Sequence, residues 1–149
     1  MKWVIVTPKY EANSNGVLLL FKLGQILARL GQRVAYHPQS LEDYDYYPHL
    51  LMEGAHVQFT LELPDPSDTV CIVNDATPSK ALARLSAYRK VWFLLNKPMF
   101  ITHEPLPFCP EDFIIAYSQL ISRCYLNLFS NMPLARPPAS LPHAGKSKK

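Results

Sequence analysis

Asn74 and Asp75 are the best-placed polar pair in the sequence, because they end an uninterrupted apolar run at residues 69–73. A carboxylate in that position can take a hydroxyl proton from a ligand, and it can equally serve as a loop or helix-start residue. Two further groups follow comparable runs. Lys9, Asn15 and Gly16 belong to residues 7–16, after the apolar residues 3–6, and Asn96 and Lys97 follow residues 91–95, with Ser118 after residues 113–117. An ammonium, carboxamides and the free backbone N–H groups of a helix start are all donors, so these residues suit an anion or a ligand hydroxyl. Gly16 either allows a ligand close to the backbone or merely makes the turn.

Other chemistries find little support. The loop ending at Gly16 has no G-x-G-x-x-G and no G-x-x-x-x-G-K, so neither a dinucleotide fingerprint nor a phosphate-binding P-loop is present. Asp43-Tyr44-Asp45 matches a metal-holding D-x-D pattern but follows no buried strand, so no metal site is expected. His37, His49, His56, His103 and His143 are dispersed, with no partner at ligand or triad spacing. His37, at a strand end, reads as packed or on the surface rather than in a cleft. Cys71, Cys109 and Cys124 fit no redox or metal spacing, and Cys71 reads as a small core residue in a reducing compartment. No catalytic residue is identified.

The elements that position these residues alternate. Residues 3–6, without polar interruption, read as a strand covered on both faces. After the loop, Val17, Leu20, Leu23, Leu27 and Leu30 form the stripe of a long helix, in which Gly24 permits tight packing on a sheet. Gly31 stops it, and residues 33–37 form a second strand. Residues 39–55 hold Tyr44, Tyr46 and Tyr47, either packed down in a loop or offering aromatic faces to a sugar. Val57, Phe59, Leu61 and Leu63 alternate with polar residues, as in a half-buried strand near a sheet edge. Beyond residues 69–73, Thr77 is a candidate cap and Pro78 a first helical residue, before a helix whose face carries Leu82, Leu85 and Tyr88. Residues 91–95 and 113–117 are two more apolar strands, separated by a proline-rich stretch. Residues 120–129 fit a helix and a strand equally.

The expected fold is α/β: a Rossmann-like, doubly wound, mostly parallel sheet with helices on both faces, spanning residues 1–131. Residues 132–149 read as a Pro/Lys-rich flexible tail or linker stub. With 149 residues, 48% hydrophobic and 18% charged, the chain can bury a sizeable core. A net charge of +3, with three lysines clustered at residues 146–149, argues against nucleic acid. No apolar run has the ~20 residues of a spanning helix, and the start is too short for a signal-peptide core, so a soluble cytoplasmic protein is expected.

Residues 2–10, then Asn15-Gly16-Val17, residues 23–31 and Arg33-Val34, resemble the opening of GT-B glycosyltransferases of the retaining, GT4-like kind. Residues 75–98, ending in Leu95-Asn96-Lys97-Pro98, and Tyr117-Ser118 after an apolar strand resemble a bacterial subset of that family. The resemblance covers residues 1–130 and implies a single GT-B half, the N-terminal, acceptor-side domain of a hexosyltransferase-class enzyme. The family's donor domain carries an E-x7-E element, and no Glu pair here has that spacing. The resemblance therefore implies a nucleotide sugar as donor substrate, no bound cofactor, a glycan or other sugar acceptor, and a donor domain from another protein or a homo-oligomeric arrangement. Lys9, Asn15, Gly16, Asn74, Asp75 and Lys97 are the expected ligand-binding residues. The alternative is a non-catalytic α/β module that binds carbohydrate or protein.

Overall fold

The computed structural model of the protein describes residues 1–8, 13–40, 57–96 and 106–131, the last four by backbone alone. Lys9, Lys97, the tyrosine cluster, Asp43-Tyr44-Asp45 and the 132–149 tail lie outside the described residues.

Among the described residues six strands form one sheet: β1 (Lys2–Thr7), β2 (Arg33–Pro38), β3 (Gln58–Phe59), β4 (Thr69–Asn74), β5 (Arg89–Leu94) and β6 (Phe113–Ala116). Their order is β3-β2-β1-β4-β5-β6, and every neighbouring pair is parallel. Valine and isoleucine dominate β1 and β4, whose β-branched side chains fit a pleated surface buried on both sides. The chain therefore has the expected Rossmann-like α/β fold. The order reverses between β1 and β4, so the loops leaving these two strands splay apart and open a crevice.

Each face has its own core. On the first, Ile5, Tyr36, Val70, Ile72 and Val91 meet Val17, Leu20 and Phe21 of α1 (Asn15–Arg29). On the second, Val4, Val6, Cys71, Val73, Trp92 and Leu94 meet Leu82 and Leu85, from α2 (Ser79–Arg84) and the turn after it, and Ile121 and Tyr125 of α3 (Gln119–Asn131). Each large apolar side chain buried in this way contributes roughly 1.5–3 kcal/mol. Gly24 does let α1 sit close: a Cβ there would fall 2.7 Å from two Tyr36 ring carbons. The Tyr36 hydroxyl, donating to the Phe21 carbonyl at 2.7 Å, fixes that ring. Gly31, at φ +76°, ends α1, with its N–H on the Ala28 carbonyl and that of Gln32 on Leu27.

Four expectations are refined. The ambiguous segment after Ser118 is a helix, held by Ile121 and Tyr125 in the second core. The alternating run from Val57 forms only a two-residue strand: the Thr60 N–H still bonds the Tyr36 carbonyl at 2.9 Å, and beyond it the Thr60 hydroxyl donates to the Glu62 carbonyl as the chain turns away. Thr77 does not cap α2: Pro78 occupies that position, and the Thr77 hydroxyl turns back to Asn74. The apolar run of β6 is an edge strand with exposed side chains on both faces. No helix among the described residues is long and apolar enough to cross a membrane.

Candidate ligand cleft

The first and fourth strands deliver their loops to one cleft of about 390 Å³. Pro8, Ser14, Asn15, Gly16, Val17 and Leu19 line one side, Asn74 and Ala76 the floor, and Leu95, Asn96 and Tyr117 the other. The described parts of the three segments singled out in the sequence, among them Asn15, Gly16, Asn74 and Asn96, thus converge at the crossover between β1 and β4.

At the α1 wall, Ser14 has the extended backbone of an N-cap, but its side chain makes no capping bond. The helix's first internal bond runs from Leu18 N–H to the Ser14 carbonyl. The N–H groups of Asn15, Gly16 and Val17 precede that bond and find no partner among the described residues. No acidic side chain occupies the first turn, so the positive end of the helix dipole is not neutralised from within. Gly16 matters here for approach: a Cβ on it would meet Leu95 Cδ1 at 3.3 Å, narrowing the cleft.

On the floor, Asn74 is 3% exposed and its carboxamide orientation is set. Asn74 Oδ1 accepts from the Ala76 N–H at 3.2 Å and from the Thr77 hydroxyl at 2.9 Å. Thr77 Oγ1 in turn accepts from the Asn74 N–H and from Gln39 Nε2, each at 3.1 Å. With its oxygen occupied, Asn74 leaves its Nδ2 donors without a partner among the described residues, on a residue that lines the cleft.

Asp75 is a loop residue, the second of the two sequence-based alternatives, and its carboxylate has a structural task there. It is 5% exposed, and both carboxylate oxygens hold main-chain N–H groups: Leu95 at 3.2 Å and Asn96 at 2.8 Å. It therefore ties the loop after β4 to the loop after β5, setting the distance between floor and far wall. Tyr125 of α3 packs in the core below, its phenol pKa raised by burial and, secondarily, by the Asp75 charge. The sequence does not signal this role, since the two N–H groups lie about twenty residues downstream.

Other residues fall away from the cleft. His37 is 2% exposed, donates from Nδ1 to the Thr60 carbonyl at 3.0 Å, and has its pKa lowered by burial. It is a packed neutral histidine. Ser118 caps α3, its hydroxyl taking the Ile121 N–H at 3.3 Å, while Tyr117 before it faces the cleft. Cys71 is buried, and its thiol is pushed up to about 12 by desolvation, so it is no nucleophile. Among the described residues no three His, Cys, Asp or Glu side chains gather as a metal site would require. The cleft is lined with donors and apolar surface, which suits binding better than proton transfer.

No protein-family model matches the chain, and comparison with curated proteins and with solved structures returns no match.

Proposed function

We propose that the cleft between β1 and β4 binds a small oxygen-rich ligand, a sugar or sugar phosphate, and that the chain serves as the acceptor-side half of a glycosyltransferase-like enzyme. The observation that carries this reading is the convergence of unpaired donors. The N–H groups opening α1 and the oriented Asn74 amide border one cavity of about 390 Å³. Phosphate oxygens or sugar hydroxyls satisfy such donors, whereas an apolar ligand would leave them unpaired at a cost of ~1–3 kcal/mol each. Tyr117 adds an aromatic wall of the kind on which a sugar ring packs. A nucleotide sugar would be the donor substrate, held by a domain outside these residues.

A second reading, a binding module without catalysis, is favoured by Asp75. Both of its oxygens are engaged by main-chain N–H groups, leaving no carboxylate in the described cleft to act as a base. Calorimetry with acceptor sugars, sugar phosphates and nucleotide sugars tests the site. Binding that weakens at least tenfold in Asn74→Ala supports it, and no heat with any of the three classes refutes it. Sugar turnover by the purified chain would dismiss the non-catalytic reading.

A further inference from the structure

We propose that two copies of this chain associate through the first face of the sheet, each placing the outer ridge of α1 in an apolar groove of the other. The groove is a product of the topology. After β4, every described connection packs on the second face: α2, Leu106 and Phe108 before β6, and α3. On the first face, β5 and β6 receive no cover among the described residues except the flank of α1. What remains is a groove of about 410 Å³, floored by Ile72, Val91 and Phe93, with Leu23 and Leu27 on one side and Phe113 and Ile115 on the other. From β4 to β6 is two strand spacings, about 10 Å, which matches the diameter of one helix.

The ridge lies on the same surface. Helical periodicity puts Val17, Leu20, Phe21 and Gly24 against the sheet, and these are the buried residues of α1. Ile26 and Leu30, one turn apart, fall on the side away from it, and they are 52% and 68% exposed. Lys22, Gln25 and Arg29 fall on the flank turned away from the groove, so ridge and groove form one continuous apolar surface. A knob beside a matching hole on a single face is what a two-fold, isologous contact requires.

The area fits a weak, concentration-dependent dimer. Phe113 and Ile115 are 68% and 50% exposed, and Ile26 and Leu30 52% and 68%. At ~200 Å² for each large side chain these four offer somewhat under ~500 Å² per copy. For the pair that lies just below the ~1,000 Å² bound for a specific interface, before the half-buried Leu23, Leu27 and Phe93 of the groove are counted. The 132–149 segment is a poor alternative occupant, since Met132, Leu134 and Leu141 are its only large apolar residues.

The test is the mass of the full chain in solution. Sedimentation equilibrium across about 1–200 µM should give a dimer, and Ile26→Lys and Ile115→Lys should each weaken it by about a hundredfold. Leu61→Lys, exposed near β3, should leave the dimer intact. Circular dichroism confirms folding of each variant. Should either dissociating variant fail to fold, hydrogen exchange of the unaltered chain decides: protection of the β6 and α1 amides should fall on dilution. A single-chain mass throughout, a dimer indifferent to both substitutions, open-ended assembly, or exchange independent of concentration would each overturn the proposal.

Discussion

Asp75 holds the backbone N–H of Asn96 at 2.8 Å, and through its other oxygen that of Leu95 at 3.2 Å. One buried carboxylate thereby joins the loops after β4 and β5 and sets the width of the cleft. Asp75→Ala removes both charge-assisted bonds and leaves two N–H groups to find new partners, so it should cost about 2–4 kcal/mol. Asp75→Asn keeps one acceptor and should cost about half as much. Urea unfolding of the two variants checks the ranking; equal, negligible losses would show that the carboxylate is not fastening the loops.

Asp112 should be more costly to remove. Its oxygens accept from the Trp92 indole at 2.8 Å and from the Cys109 and Lys90 N–H groups at 3.0 and 3.3 Å, and the Lys90 ammonium lies 3.6 Å away. Both charged side chains are almost wholly buried, at 7% and 2% exposure. Asp112→Ala leaves the buried Lys90 ammonium on the Tyr88 carbonyl at 3.1 Å without its counter-charge and should destabilise by about 3–5 kcal/mol, whereas Lys90→Met with Asp112→Asn should cost distinctly less. Denaturant midpoints of the single and double variants measure the difference.

Gly24→Ala should destabilise, although alanine is the better helix former by about 1 kcal/mol. The new Cβ would meet the Tyr36 ring at 2.7 Å, and the ring cannot withdraw while its hydroxyl donates to Phe21. Overpacking of this kind costs about 1–3 kcal/mol, so the net sign is the test. A rise in melting temperature would mean that α1 can lift from the sheet freely.

His37 should make stability fall as pH drops. Burial lowers its folded pKa below the usual histidine value, with the Thr60 carbonyl opposing and the Arg84 charge assisting. The unfolded chain therefore binds the proton more readily, so stability is full above the unfolded pKa of about 6.5 and declines as pH falls from there toward the folded value. Urea midpoints between pH 7.5 and 5 should decrease, and His37→Gln should flatten that slope.

Much of this architecture is legible in the residues. The apolar runs of β1 and β4, the Leu20 stripe with Gly24, and Gly31 after α1 specify a buried parallel sheet with a helix pressed on it. The cleft position follows from Asn74 and Asn96 ending such strands. Contacts distant in sequence are not legible. Asp75 meets Leu95 and Asn96 only because β4 and β5 are neighbours, and no local pattern separates this fastening from a proton acceptor. Thr77 precedes Pro78 as a cap would, yet a hydroxyl three residues from Asn74 closes a turn instead. The apolar composition of β6 records that it can be buried, not that its neighbours in this chain leave it exposed.

The central claim concerns the donors of the β1–β4 cleft, and nuclear magnetic resonance of the full chain tests it most directly. Titration with glucose 1-phosphate should shift the backbone N–H signals of Asn15, Gly16 and Val17 together with the Asn74 side-chain NH₂ pair, saturably and with one affinity. Loss of that response in Asn74→Ala, with the fold retained, completes the expected result. Shifts confined to residues outside the cleft, or none at millimolar ligand, would contradict the account.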